Sequence, residues 1–151
     1  MTVDRAVSRA NGAVVRVLRS PFHWVLSLGL MLITVTGRRS GRVYTIPVGY
    51  QQDGSVITVL ASEARTKQWW RNFETPAAVT LRLRGKEREG VATLVPPNSP
   101  EFRIQSEQTL TRLPFMGRVF GIRYQRRQGL TDAQLEALRN NIAIVQIQVA
   151  P

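Results

Sequence analysis

The chain has 151 residues, of which 43% are hydrophobic and 21% charged, so it is long enough for one globular domain and its composition excludes a disordered chain. The formal net charge is +11, and all but two of the 21 basic residues are arginines, which favours an anionic partner. Cysteine is absent and His23 is the only histidine, which excludes disulfides, thiolate catalysis and a zinc or serine–histidine site. We therefore predict a single domain over residues 1–151 without a bound metal.

The first predicted element is a basic amphipathic helix over residues 4–19, in which apolar residues recur at helical spacing and arginines occupy the opposite side. Two interpretations stay open: a helix at the domain edge with a solvated arginine face, or a helix that lies on an anionic membrane surface. The apolar stretch at 22–35 contains His23, which we predict to be a packing residue, and is shorter than the ~20 residues that span a bilayer. We expect a cytoplasmic protein, or one peripheral to the inner face of the membrane.

Residues 34–50, with the sequence T-V-T-G-R-R-S-G-R-V-Y-T-I-P-V-G-Y, predict two strands around a loop rich in arginine. Gly37 and Gly41 permit the positive φ values of a tight turn, and the guanidinium groups lie on about one turn of chain. Such a loop suits an anion such as a phosphate. The alternative is a solvated basic hairpin loop without a ligand. The polar residues of the loop are Arg38, Arg39, Ser40 and Arg42.

The remaining elements follow from alternation, turn residues and helix caps. Six or so strands joined by hairpins, with helices inserted between them, predict an α+β fold with an antiparallel barrel core over residues 30–151. We expect residues 113–128 to be partly helical and partly loop. The predicted strands are 30–36, 43–51, 55–61, 77–84, 86–95 and 142–149, and the predicted helices are 66–74, 99–111 with Ser99 as its N-cap, and 131–140 with a capping box of Thr131 and Gln134.

Several motifs resemble the deazaflavin-dependent nitroreductase family of actinobacteria. They are T-V-T-G-R-R-S-G-R-V-Y-T-I-P-V at 34–48, the D-G hairpin, A-S at 61–62, W-W-R-N-F-E-T-P at 69–76 and, more weakly, Y-Q-R-R at 124–127. The resemblance implies a split β-barrel similar to FMN-binding pyridoxamine-phosphate oxidases, with an N-terminal helix and peripheral helices. It also implies the reduced deazaflavin coenzyme F420, with FMN as the alternative, and hydride transfer to a quinone, a nitroaromatic compound or a similar acceptor.

The same resemblance implies where the site lies. The loop would hold the phosphate of the coenzyme, two β-strands would border the deazaflavin ring, and Tyr124 would border the substrate pocket as the one residue assigned to catalysis. The implied coenzyme-binding residues are Arg38, Arg39, Ser40 and Gly41 for the phosphate, Pro47, Val48, Ala61 and Ser62 for the ring, and Lys67.

Two positions depart from the family pattern. Tyr44 stands where the family usually has an arginine shortly before the proline, and Glu63 lies in a segment that is often A-S-K-G-G. Arg65 or Lys67 is expected to supply the charge that Glu63 does not.

The sequence gives less information about partners other than a small hydride acceptor. No recognition helix or aromatic–basic RNA motif is evident, so we predict no nucleic-acid binding. The protein is expected to be a monomer or a homodimer. The alternative function is a non-catalytic member of the same fold that binds lipid or an anionic membrane surface through its N-terminal helix.

Overall fold

The computed structural model describes residues 29–62, 64–65, 67–114 and 116–151, so the predictions for the helix at 4–19, His23 and Glu63 lie outside the described residues. The described part is an antiparallel sheet with helices packed on one side. Its strands are β1 (Leu30–Thr36), β2 (Val43–Gly49), β3 (Gln51–Asp53), β4 (Val56–Ser62), β5 (Ala77–Leu83), β6 (Lys86–Leu94) and β7 (Ile142–Val149). The helices are a 3₁₀ helix (Trp69–Phe73), α1 (Pro100–Arg112), α2 (Met116–Phe120) and α3 (Asp132–Asn141).

The sheet is curled, with the strand order β2-β1-β5-β6-β7-β4-β3. Strands β2 and β4 come into contact across the curl, yet they form no backbone ladder, and we call this gap the seam. Pro47 lies in β2 opposite Leu32 of β1, as expected for a proline, which lacks an N–H donor and is tolerated on edge strands. This arrangement confirms the predicted antiparallel split barrel.

The barrel interior is filled by alternate residues of the strands, because successive side chains of a strand point to opposite faces. In β1 these are Met31, Ile33 and Val35, all at most 1% exposed. Phe73 reaches the same core from the 3₁₀ helix and is also buried. Each such side chain contributes roughly 1.5–3 kcal/mol by leaving water, so the interior accounts for much of the stability.

A second core lies between the three α-helices and the outer face of β4 and β7. Phe102 and Leu138 reach it from α1 and α3, and Ile144 and Leu60 reach it from the sheet. The helix starts are as predicted: the Ser99 hydroxyl accepts from Phe102 N–H at 3.4 Å, and α3 opens with a complete capping box. The helices therefore cover the sheet on the side away from the barrel interior.

Two details differ from the sequence-based expectations. The strand predicted over 43–51 is two strands: β2 pairs with β1 as far as Gly49, which lies opposite Leu30, and the ladder ends there. Residues Gln51–Asp53 pair with β4 instead, through a turn at Gly54 with φ 61°. The helix predicted over 66–74 is a 3₁₀ helix limited to Trp69–Phe73. Residues 113–128 are partly helical and partly loop, as expected, and the helix among the described residues of this range is Met116–Phe120.

We predict that Gly90→Ala destabilises the barrel by about 1–3 kcal/mol, as overpacking does. A Cβ at Gly90 would lie 2.8 Å from the Gln148 carbonyl oxygen and 2.8 Å from Ile147 Cγ2, and the backbone atom cannot rotate away. Urea denaturation measures the loss. The control is Gly49→Ala, whose Cβ would be 3.7 Å from its nearest neighbour, the Gly29 carbonyl oxygen. Equal stability of the two variants would contradict this close contact between β6 and β7.

Candidate functional site

A cleft of about 520 Å³ opens along the seam between β2 and β4. It exists because the two strands meet without pairing, so both faces of each strand contribute side chains to the gap. Four of the predicted coenzyme-binding residues lie together here: Pro47, Val48, Ala61 and Lys67. Most of the wall is apolar, and the volume is in the range of ligand-binding sites. The remaining lining residues are Tyr44, Ile46, Gly49, Val59, Leu60, Gln68 and Trp69.

The loop between β1 and β2 is closed by its own backbone. Gly37 N–H donates to the Arg42 carbonyl and Gly41 N–H donates to the Gly37 carbonyl, both at 2.8 Å. Gly41 has a φ of 66°, in the left-handed region that favours glycine. Arg42 N–H donates to the Ser40 hydroxyl at 3.2 Å. The loop is therefore a defined turn whose tip, Arg39 and Ser40, is exposed.

The two neighbouring arginines of this loop differ in what they contact. The Arg38 guanidinium donates to the Glu74 carboxylate at 3.1 Å, in an ion pair whose side chains are 42% and 45% exposed. Such an exposed pair contributes only about 0–1 kcal/mol, so a stronger anion can displace it. Arg39 has no hydrogen-bond or ion-pair partner within residues 29–151 as far as they are described, and neither does its backbone N–H. Arg39 is thus the arginine most available to a ligand.

Asn72 connects the loop to the seam cleft. Its side-chain oxygen accepts from Arg38 N–H at 2.9 Å, and its Nδ2 donates to the Trp69 carbonyl at 2.9 Å and to the Tyr44 hydroxyl at 3.1 Å. Tyr44 lines the cleft and Trp69 begins the 3₁₀ helix. One amide therefore holds the loop, the helix and the cleft wall in a fixed relation.

A second cleft, of about 530 Å³, continues from the seam cleft and shares Gly49 and Leu60 with it. It runs between the outer face of the sheet and α1, where Gln51 Nε2 donates to Thr109 Oγ1 at 2.8 Å. Its walls combine apolar side chains with two guanidinium groups. The other lining residues are Gly29, Tyr50, Gln52, Thr58, Arg84, Arg112, Leu113 and Met116.

Tyr124 does not line the seam cleft. The Tyr124 hydroxyl shares a hydrogen bond of 3.1 Å with Thr111 Oγ1, and its ring packs against the second core, to which Leu60 and Met116 also belong. Tyr124 therefore lies behind the wall of the second cleft. Ser62 ends β4 opposite Ile142.

Sequence reasoning did not assign Tyr44, Trp69 or Asn72 to the site. Tyr44 was noticed as a departure from an arginine position, and Asn72 and Trp69 belong to the W-W-R-N-F-E-T-P motif. The motif was a usable signal, but nothing in it indicates that the Asn72 amide reaches Arg38 and Tyr44, which are distant in sequence.

Comparison with protein families shows which family the chain belongs to. The family described as F420H(2)-dependent quinone reductase matches residues 2–136, nearly the whole chain. The chain belongs to this family. The protein is thus an oxidoreductase whose coenzyme is F420, which confirms the resemblance, and FMN is not the coenzyme for which the family is described. The alternative of a non-catalytic lipid-binding protein finds no support in this membership.

Solved structures share the fold at low sequence identity. An F420-H2-dependent reductase, FDR-A, is 15% identical with a TM-score of 0.53, and the match covers 79% of this chain and 93% of that one. A protein described as a domain-swapped dimer is 15% identical with a TM-score of 0.56 and coverages of 97% and 99%. The heme storage protein HutZ from Vibrio cholerae is 13% identical with a TM-score of 0.54 and coverages of 88% and 91%. No curated protein sequence gives a significant match.

The described residues fit this coenzyme. The apolar walls at Pro47, Val48 and Ala61 suit a flat ring, and the loop with Arg39 suits an anionic phosphate.

In the described ranges, no helix is long and apolar enough to cross a bilayer. The same residues contain no group of three or more acidic, histidine or cysteine side chains that could hold a metal ion.

We predict that Gly41→Ala weakens F420 binding, because alanine disfavours a φ of 66° and the loop would relax out of its turn. The strain also costs about 1–2 kcal/mol of stability. The matched control is Gly54→Ala, at φ 61° in the β3–β4 turn and likewise with no heavy atom within 4 Å of its Cβ position. Thermal unfolding should report a similar loss for both variants, and a deazaflavin fluorescence titration should separate them. An unchanged Kd for Gly41→Ala would contradict the role of the loop.

Proposed function

We propose that this protein transfers a hydride from reduced F420 to a quinone, with the deazaflavin ring in the seam cleft and the quinone in the adjoining second cleft. The observation that carries the proposal is the continuity of the two clefts through Gly49 and Leu60, with the arginine loop tied to the opposite side of the seam cleft. The arrangement offers one place for a ring, one for a phosphate and one for an acceptor.

When bound, the coenzyme supplies the hydride, so the protein has to position and shield more than it has to exchange protons. Pro47 and Val48 on one side and Ala61 on the other form apolar walls that exclude water from the ring. Val48 and Ala61 are themselves 8% and 7% exposed; Val48 is held by the barrel core and Ala61 by a small cluster with Ala64 and Ala143. Rigid walls restrict the ring to one plane, which is the main requirement for hydride transfer.

The phosphate site is proposed at the tip of the loop. There Arg39 offers its guanidinium group and its backbone N–H, and the N–H of Ser40 also donates to none of the described residues. Arg38 joins the site by exchanging Glu74 for the phosphate, which is a stronger acceptor. Lys67 lines the seam cleft and adds a positive charge to its wall.

The second cleft is suited to a quinone. Leu60, Leu113 and Met116 give it an apolar surface for the ring and its substituents. Arg84 and Arg112 stabilise the negative charge that develops on a quinone oxygen when the ring accepts a hydride. Tyr124 packs against the same core as Leu60 and Met116, and its place at the border of the substrate pocket stays a prediction.

The direct test is a titration of the purified protein with F420, followed by mixing of the reduced complex with a water-soluble quinone. We expect a saturable fluorescence change at micromolar coenzyme and loss of the reduced-coenzyme signal only when quinone is present. A nitroaromatic compound serves as the comparison acceptor. Absence of binding at tens of micromolar would overturn the proposal, and binding without turnover of either acceptor would overturn its catalytic part.

We predict that Arg39→Ala weakens F420 binding by about 2 kcal/mol, roughly a 30-fold rise in Kd, from the loss of charge-assisted hydrogen bonds. Arg38→Ala should cost only about 1 kcal/mol, because Glu74 already competes for that side chain. The double variant should lose roughly 2–4 kcal/mol. Arg88→Ala in β6 changes the net charge equally and lines neither cleft. If it weakens binding as much as Arg39→Ala, the effect is one of net charge and the phosphate site is misplaced.

We predict that Met116→Trp raises the KM for quinone several-fold and leaves the Kd for F420 unchanged, because the indole fills the second cleft only. Val119→Trp is the control: it lies on the same helix, its side chain is 57% exposed, and it lines neither cleft. Steady-state kinetics with varied quinone measure the difference. A Met116→Trp variant with an unchanged KM would place the acceptor elsewhere.

A further inference from the structure

The orientation of the Asn72 amide is determined by two partners that cannot exchange roles. Arg38 N–H can only donate, so the atom facing it at 2.9 Å must be the side-chain oxygen. The Trp69 carbonyl can only accept, so the atom facing it at 2.9 Å must be Nδ2. The third contact, between Nδ2 and the Tyr44 hydroxyl at 3.1 Å, therefore has Asn72 as its donor. The Tyr44 hydroxyl oxygen accepts.

This leaves the hydrogen of the Tyr44 hydroxyl to be donated elsewhere. Among the residues that the structure describes, no side chain or backbone atom accepts it. Tyr44 is half-buried, packs against the barrel core and lines the seam cleft. A donor at the wall of a cleft that has no acceptor among the described residues can donate to a ligand oxygen that enters the cleft.

We propose that Tyr44 binds the coenzyme by donating a hydrogen bond to an oxygen of its phosphate, and that Asn72 is the positioning residue that orients the Tyr44 hydroxyl for this contact. The inference rests on the proposed function, whose ligand it specifies further. Asn72 also holds the backbone of Arg38, so Tyr44 lies on the loop side of the cleft, next to the anion site. A phosphate there receives Arg39 from the loop and Tyr44 from the strand.

The contact from Tyr44 differs in kind from the contact from Arg39. Tyr44 offers a neutral phenol whose direction is set by a neighbouring amide. A guanidinium contact to phosphate weakens as salt screens it, with a Debye length of ~10 Å at 0.1 M and ~3 Å at 1 M. A neutral donor is far less sensitive to salt. The contributions of Tyr44 and Arg39 to F420 affinity should therefore depend differently on ionic strength.

The test compares wild type, Tyr44→Phe and Arg39→Ala in fluorescence titrations with F420 at 0.05 M and 0.5 M salt. We expect Tyr44→Phe to raise Kd about tenfold at both salt concentrations, the scale of a hydrogen bond to a charged group. The cost of Arg39→Ala should shrink at high salt. A second ligand, the deazaflavin riboside without phosphate and glutamate tail, should bind wild type and Tyr44→Phe equally. Equal losses for both ligands would assign the contact to the ring or the ribityl chain and overturn the phosphate assignment.

The positioning role of Asn72 is tested by a double-mutant cycle with Asn72→Asp. A carboxylate only accepts, so the Tyr44 hydroxyl would turn toward it and stop donating to the ligand. The Tyr44→Phe substitution should then cost much less in the Asn72→Asp background than in wild type. An undiminished cost would show that Asn72 does not direct the hydroxyl.

Two control measurements distinguish the possible causes of a change in F420 affinity. Tyr124→Phe also removes a phenol oxygen, but that oxygen is bonded to Thr111 away from the seam cleft, so F420 affinity should stay unchanged. Thermal unfolding without coenzyme should place Tyr44→Phe close to wild type, because Asn72 retains Trp69 and Arg38 as partners. Absence of F420 binding by wild type would contradict both the proposed function and this inference. An unchanged Kd for Tyr44→Phe with normal wild-type binding would contradict the inference alone.

Discussion

Strand β2 keeps one edge unpaired where it faces β4, and the proposed coenzyme site lies along that edge. Closing the barrel with a backbone ladder would satisfy the free donors and acceptors of both strands but would leave no cleft. Pro47 cannot donate to a ladder, and its position in β2 is consistent with a strand that remains an edge. The barrel core holds Val48 on one side of the gap, and a small alanine cluster holds Ala61 on the other. A cleft with rigid apolar walls is the result.

The arginines of the loop lie outside this gap, whereas Lys67 lines it. The arginines lie on a turn at the end of β1 and β2, where water screens them, and the Arg38–Glu74 pair is nearly half exposed on both sides. An exposed pair of this kind is worth about 0–1 kcal/mol, whereas a hydrogen bond to a charged group reaches about 1.5–3 kcal/mol. These free energies favour a phosphate over Glu74 as the partner of Arg38. Glu74 serves as an internal counterion that limits repulsion among the arginines before a ligand arrives.

Much of the fold follows from local patterns. Alternation at Val79, Leu81 and Leu83 predicts a strand with one buried face, and the structure buries all three. The capping box at Thr131 and the D-G turn at Gly54 are equally local, and both are present. Propensity did not locate the break at Tyr50, because the end of β2 depends on which strand the following residues pair with, and Gln51–Asp53 pair with β4.

The site could be predicted only in part, and for a related reason. Family motifs indicated Pro47, Val48, Ala61 and Lys67, which the structure brings to one cleft. The second cleft could not be derived, since it depends on how α1 lies against the outer face of the sheet. The contacts of Asn72 with Arg38 and Tyr44 join distant parts of the chain, and no periodicity encodes such hydrogen bonds.

The strand order has a consequence for how the cleft comes into being. Strand β4, which carries Val59 and Ala61, is joined to the rest of the sheet only through β7, because β3 is its other neighbour. β7 follows β4 far later in the chain, after all three α-helices. During synthesis one wall of the cleft therefore has no fixed place until residues 142–149 leave the ribosome. Non-local pairing of this kind is slow, and the seam cleft takes its shape only after β4 has paired with β7.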